Sequence, residues 1–393
     1  MNRLVSANVD RVSPGWLPPK RREDRTRVLF ITNDMLGWRT FASAIERFAA
    51  VREDIDAVHI RLQSRLPVRL LSADVRCARG WLDPHVRRVM LWRRMLRRWL
   101  TGPLPLCCFD VIHVAPQLPA LAVAELKAAW GGALSVSIDS TVMEAKAQRK
   151  LLSPERLERS FAPILRAERR VMNEADLVAS MSRWSSASLQ REHGVPAARI
   201  MLFPPVVEAG VPAEGSCRDG THDSLVRIAF VGNDWERKGG PRLLRWHQQR
   251  WAARAELNIF SRARPITNLH NVVWHGSVPN EDLVQRWLPS MDMFVLPTHS
   301  DMSPWAAVEA ASVGLPIVTT AIGGLPDIVV DGRTGYLLGA DDERGYVRAV
   351  ERLIGRPGLR IRMGRAARRH ACSNLDPGAV AGRFLDRLVS LAP

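Results

Sequence analysis

Two acidic residues, Asp301 and Glu309, are separated by seven residues in a segment with clear structural punctuation. The apolar run Met293 to Leu296 predicts a strand, Pro297 to Ser303 a polar loop, and Pro304 the start of a helix. Gly314-Leu315-Pro316 then leads into a second strand at Ile317. Ser303 suits the helix N-cap and Pro304 the first helical position. The N–H groups between Met302 and Ala306, Trp305 included, are therefore expected to point past the carboxyl end of the first strand. A helix start of this kind attracts phosphate. The plainer alternative is a capped amphipathic helix with two solvated carboxylates, and the ordered strand, loop and helix weigh against it.

A second loop follows the predicted strand Arg227 to Val231 and reads Gly232-Asn-Asp-Trp-Glu-Arg-Lys238-Gly239-Gly240-Pro241. Its glycines let backbone approach a ligand, and Lys238 and Arg237 supply positive charge for a diphosphate. A third loop, Ile322-Gly323-Gly324-Leu-Pro326-Asp327, offers paired glycines whose N–H groups reach sugar or phosphate, or else form an ordinary turn into a helix. In the N-terminal half, Asp139-Ser140-Thr141 ends the predicted strand Leu134 to Ile138, where Asp139 either accepts from an acceptor hydroxyl or caps the next helix. Gly37-Trp38 follows the first strand, Arg27 to Thr32, in a loop that a glycine opens to close approach. His113 and His275, isolated beside strands, read as satisfied edge residues, and Asp54-Ile-Asp56 as solvated acids.

The elements that must hold these loops alternate as strand and helix: strands at 27–32, 57–62, 111–114 and 134–138, helices at 40–50, 163–173 and 185–192, then strands at 227–231, 256–260, 272–274, 293–296 and 317–320. Unbroken apolar strands of this kind belong to parallel sheets covered on both faces. At 393 residues two domains are expected. The boundaries read 1–24 as a mobile basic arm, 25–207 as a first Rossmann-like domain, 208–224 as a turn-rich linker and 225–375 as a second Rossmann-like domain. A final helix over 376–393 carries Val380, Phe384, Leu385 and Leu388 on one face.

Residues 1–200 hold 33 Lys and Arg against 20 Asp and Glu, whereas residues 201–393 hold 23 against 20. The positive field of the first half implies an anionic partner: a membrane surface, an acidic glycan or nucleic acid. The stretch Pro84 to Leu100, rich in Arg, Trp and Leu, resembles a membrane-surface helix in composition, although a domain helix with solvated arginines is the plainest reading. No nucleic-acid module is recognised, and neither first-strand loop carries the Gly-x-Gly-x-x-Gly of a dinucleotide oxidoreductase. Five cysteines show neither paired spacing nor a metal-ligand pattern and fit a reducing compartment. No apolar leader and no spanning run is present, so a cytoplasmic protein, peripheral at the inner face of the membrane at most, is expected.

The segment Asp301 to Pro316, together with the Lys238-Gly239 and Gly323-Gly324 loops, resembles the retaining GT-B-fold glycosyltransferases of the "glycosyl transferases group 1" family. That resemblance is firm from about 228 to 338. It implies an α/β, GT-B architecture with two Rossmann-like domains facing across a cleft, and transfer of a sugar with retention from a nucleoside-diphosphate sugar to a glycan or lipid-linked acceptor in polysaccharide biosynthesis. It further implies that Asp301 contacts the donor sugar, that Glu309 takes the ribose hydroxyls and that Lys238 takes the diphosphate, with Asn233, Arg237, Gly239, Met302, Ser303, Pro304, Trp305, Gly323 and Gly324 around the donor. Gly37 and Trp38 then belong to donor or acceptor, Asp139 lies near the reacting sugar, the final helix crosses back to the first domain, and neither metal nor cofactor is required. Two departures stand out: Asn233 replaces the family's usual arginine, and Asp301 its usual glutamate. They motivate the alternative of a catalytically weakened binding or scaffold module.

Overall fold

The computed structural model describes residues 24–33, 37–62, 84–148, 154–205, 225–263 and 269–393. The expected arm (apart from Asp24) and the expected linker lie outside those residues. The chain divides into two compact units, residues 1–206 with 377–393, and residues 207–376.

Unit 1 is built on a six-stranded sheet in the order β2-β1-β3-β4-β5-β6, every pairing parallel. Its strands are β1 Thr26–Asn33, β2 Ile55–Leu62, β3 Val111–Ala115, β4 Ala133–Ile138, β5 Leu177–Ser180 and β6 Ile200–Leu202. Helices α1 Gly37–Ala50, α2 Pro84–Leu100, α3 Leu121–Trp130, α4 Val142–Gln148, α5 Pro154–Glu174 and α6 Arg183–His193 accompany it. Strands β3, β4 and β5 are buried along their whole length, as expected of a sheet covered on both faces.

Several local expectations change. Gly37 is the first residue of α1 rather than part of a loop, and Trp38 lies edge-on to Phe41, ring centres 5.5 Å apart. Helix α5 begins at Pro154, which takes the first-turn place suited to proline, so Pro163 falls inside the helix. His113 is no edge residue. It sits on the interior strand β3, fully buried, with Nδ1 2.9 Å from Ser135 Oγ and Nε2 3.2 Å from Ser137 Oγ. Burial pushes its imidazole down to about 3. The pair Asp54 and Asp56 is not simply solvated either, for Arg52 and Arg27 bond them at 2.7 Å. In α2, Val89, Trp92, Leu96, Trp99 and Leu100 are all buried in the core of the unit, so its apolar side is already covered. Arg93 turns outward to Glu125 at 2.8 Å.

Unit 2 repeats the plan with β7 Val226–Val231, β8 Ala255–Phe260, β9 Val272–Trp274, β10 Met293–Leu296, β11 Ile317–Thr320 and β12 Gly335–Leu338, in the order β12-β11-β10-β7-β8-β9. Helices α7 Gly240–Trp246, α8 Trp305–Ser312, α9 Glu343–Ile354 and α10 Pro357–Asn374 pack on it. A last helix, α11 Pro377–Val389, groups with unit 1 and buries Val380, Phe384, Leu385 and Leu388, with Phe384 edge-on to His113 at 4.9 Å. No described helix is long and apolar enough to cross a membrane.

Sheet order decides where the loops meet. From β7 the chain moves outward through β8 and β9, then returns to the other flank of β7 as β10, with Met293 paired to Ile228 and Phe294 to Ala229. The connections leaving β7 and β10 therefore diverge, which opens a crevice at the carboxyl ends of these two strands, where open parallel sheets bind ligands.

Candidate functional site

The loop after β7 is wound tightly by its own backbone: Lys238 N–H donates to Asp234 O at 3.0 Å, Gly239 N–H to Glu236 O at 3.0 Å and Gly240 N–H to Trp235 O at 2.9 Å. Gly232 leaves room for the lysine stem, since a Cβ there would fall 2.7 Å from Lys238 Cδ. Gly239 has φ +78°, and a Cβ on it would lie 1.8 Å from Pro297 O, the carbonyl just after β10. Only glycine permits that approach of the two loops. His299 N–H then donates to Arg237 O at 2.8 Å, and the Arg237 guanidinium reaches Ser300 O. Arg242 on α7 lies within 5.6 Å of the Trp246 ring centre and 5.4 Å of that of Tyr346, and donates to Pro297 O at 2.8 Å. This guanidinium fixes the chain where it leaves β10.

So positioned, Lys238 Nζ lies 2.9 Å from Asp301 Oδ2, with Arg237 3.8 Å from the same oxygen. Asp301 is 7% exposed and Glu309 4% exposed, so neither is a solvated carboxylate on a helix surface. Glu309 accepts from Asn280 Nδ2 at 2.7 Å. Burial pushes its carboxyl above the usual range, opposed by the Asn280 bond and the Lys238 charge. Lys238, Asp301 and Glu309 thus share one electrostatic neighbourhood.

The helix start differs from expectation. Pro304, with extended backbone, takes the N-cap position of α8 and offers no capping side chain. Ser303 Oγ, on a residue 9% exposed, has no hydrogen-bond partner among the described residues. The first N–H groups of α8, on Trp305 and Ala306, precede any helical acceptor. Gly323, at φ +56°, packs against the acidic loop so closely that a Cβ would sit 1.9 Å from Asp301 O, and Gly324 N–H donates to Met302 O at 2.6 Å. The glycine pair here braces the Asp301-Met302 backbone, and the Gly324 N–H is already engaged. Asn233 is exposed at the loop rim, its Oδ1 accepting from Arg262 N–H at 3.2 Å.

In unit 1, Asp139 is half-buried at the end of β4, and Ser140 Oγ donates to its Oδ1 at 3.4 Å. It does not cap α4. Thr141 does: Glu144 N–H donates to Thr141 Oγ1 at 3.2 Å, and Thr141 N–H donates to Glu144 Oε2 at 2.9 Å, a reciprocal capping box. The Thr-x-x-Glu spacing carried that signal, and the nearer aspartate drew attention from it. Asn280 was missed altogether, as a lone amide 29 residues from its partner belongs to no motif.

Residues 226–356 match the family model described as "Glycosyl transferases group 1". The chain is 38% identical over 102 residues to the D-inositol 3-phosphate glycosyltransferase of Streptomyces avermitilis, covering 26% of this chain and 22% of that protein. Over the curated relatives that match at 36–39% identity, the chain spans only about a fifth to a quarter of their length. Among solved structures, sucrose-phosphate synthase from Thermosynechococcus elongatus superposes with a TM-score of 0.72 at 16% identity, over 93% of this chain and 100% of that one. The Anabaena protein HepE, in complex with UDP-glucose, gives 0.66 at 13% identity over 93% and 100%. The fold is the GT-B type, each unit carrying its own parallel sheet.

Proposed function

We propose that this chain, whose residues 226–356 match the group 1 glycosyltransferase model, is a glycosyltransferase that moves a sugar from a nucleoside-diphosphate sugar to a hydroxyl on a glycan or lipid-linked acceptor. The observation that carries this reading is the convergence of Lys238, Asp301 and Glu309 at the β7 and β10 strand ends. In such a transfer the bond from the anomeric carbon to the diphosphate oxygen breaks, its electron pair moves onto the diphosphate, and the acceptor oxygen bonds the carbon. Negative charge grows on the leaving group, so cations and N–H dipoles aimed there lower the barrier. Lys238, Arg237 and the first turn of α8 are assigned that role. The buried Ser303 hydroxyl, left without a protein partner among the described residues, supports a polar ligand in the same loop. Retention of configuration, a cytoplasmic setting and acceptor contacts by Gly37, Trp38 and Asp139 complete the proposal, carried from the family resemblance. The HepE complex with UDP-glucose favours a uridine donor as the first to try.

The test is transfer and donor hydrolysis with UDP-, GDP- and ADP-sugars. Lys238→Ala and Glu309→Ala are expected to lower turnover at least about tenfold, equivalent to roughly 1.4 kcal/mol. Unchanged rates in both variants reject the assignment. Binding of a nucleotide sugar without transfer instead selects the binding-module reading, which the exposed, uncharged Asn233 motivates.

A further inference from the structure

Glu309 lies within α8, where Ala306, Ala307, Ala310 and Ala311 are buried around it. The alanines supply no side-chain donor, and the buried Ser312 hydroxyl is spent on the Glu309 backbone carbonyl at 2.7 Å. A carboxylate taken out of water among alanines needs compensation from elsewhere in the fold. For Asp301 that compensation is a cation at 2.9 Å. For Glu309, the side-chain donor found among the described residues is one neutral amide, Asn280 Nδ2, at 2.7 Å from Oε1. Asn280 comes from the exposed turn Asn280–Asp282, which follows the positive-φ Gly276 and Pro279 and leads to the buried Leu283 and Val284. The turn is thereby anchored, while the amide itself stands between solvent and the buried acid.

We infer that Asn280 is a positioning residue: it holds Oε1 of Glu309 and leaves Oε2 to accept a hydroxyl of the bound nucleotide. The inference rests on the donor-site reading above and extends it to a residue outside the recognised motif. One Asn280 N–H is spent on Glu309, and the amide retains a second N–H and a carbonyl oxygen with no further side-chain bond among the described residues.

A merely structural asparagine and a positioning one differ in their pH signature. Only the ionised carboxylate has both oxygens available as acceptors, one for Asn280 and one for a hydroxyl, and removing the Asn280 bond favours the protonated acid. Calorimetric titration of the full chain with UDP, GDP and ADP, each from about pH 6 to pH 8, is therefore expected to give Asn280→Ala near-normal affinity at the alkaline end. At the acid end the affinity should fall below that of the unaltered chain, because the carboxyl protonates more readily once the Asn280 bond that opposes its burial is lost. Asn280→Asp, which sets a second carboxyl against the first, should move the acid limb further, and Asn280→Gln should restore part of the loss. An Asn280→Ala profile parallel to that of the unaltered chain overturns the inference while leaving the donor-site reading intact. If no nucleotide binds the unaltered chain, the donor-site reading fails. The pairing is then decided by carbon NMR of the Glu309 carboxyl, identified by its loss in Glu309→Gln: a titration unmoved in Asn280→Ala overturns it too.

Discussion

Two glutamates, one in each unit, are buried within helices at the carboxyl side of a parallel sheet, and they are treated in opposite ways. Glu168 on α5 is wholly inaccessible and its oxygens are saturated. Val142 N–H donates to both at 3.0 and 2.9 Å, Gln117 Nε2 donates to Oε1 at 2.9 Å, and His193 Nε2 lies 3.1 Å from Oε2. Glu309 on α8 is almost as buried, yet a single amide reaches one of its oxygens. A saturated acid ties β3, α4, α5 and α6 together and has nothing left to offer. An acid left short of donors retains capacity for a further hydrogen bond, at a cost in stability.

The sharpest way to break this contrast is to delete the saturated acid. Glu168→Ala strands the Val142 N–H and the Gln117 amide and is expected to cost about 3 to 5 kcal/mol of unfolding free energy, the range seen when a buried charged partner is removed. Urea denaturation measures it. A loss no larger than that of Glu309→Ala would erase the distinction between the two acids.

Glycine offers the next contrast. Gly194 closes α6 at φ +66° with no described atom within 4 Å of where a Cβ would stand, whereas Gly239 combines φ +78° with the Pro297 carbonyl at 1.8 Å. Gly194→Ala should cost about 1 to 2 kcal/mol for the left-handed backbone alone. Gly239→Ala adds a clash that displaces one of the two site loops, roughly 2 to 5 kcal/mol in all, and nucleotide affinity should fall with it. Equal losses at the two positions would argue that the loops are not locked together.

Acidity draws a finer contrast, within unit 1. Burial pushes Glu144 up to about 7 from 4.5. Its folded value lies above the ordinary one, so its contribution to stability is complete below about 4.5 and is lost as pH rises through about 7. His113 works the other way, held neutral down to about 3, so its contribution is present above 6.5 and is lost as pH falls from 6.5 toward 3. Glu144→Gln, neutral at every pH, should flatten the decline in urea midpoint between about pH 4.5 and 7, and a decline as steep as before would show that Glu144 is not its source. Least of all is expected from Arg93→Ala, which removes an ion pair with Glu125 at the outer side of α2 and should cost only about 0.2 to 1 kcal/mol. A larger thermal shift would mean that this arginine does more than pair at a surface.

Much of the architecture was legible because parallel strands are continuous apolar runs bounded by Gly, Pro and acids. Val272–Trp274, Met293–Leu296 and Ile317–Thr320 begin and end where the residue types say. The short β12, Gly335–Leu338, escaped because four residues opening on glycine carry no period. At the site, charges and glycines were readable by type, although Gly239 and Gly323, expected to bring backbone to a ligand, bring the loops against each other instead. Hydrogen bonds across long sequence separations were not. Asp139 and Thr141 both suit a cap, and the Thr-x-x-Glu spacing marks Thr141 as the residue that serves. Ser303 has the type of a cap, but the extended Pro304 after it becomes the N-cap residue instead.

The 2.9 Å contact between Lys238 and Asp301 has a consequence for how any anion arrives. The ammonium already has a counter-ion of its own, so an incoming phosphate does not meet a bare cation but competes with a tethered carboxylate for it. Association becomes a partner swap, and small inorganic anions, which bring a single weak contact to the exchange, are poorly placed to win it. A molecule that also offers hydroxyl groups to the displaced carboxylate recovers on one side what it disrupts on the other, so the ion pair favours an anion that carries hydroxyls over a bare one.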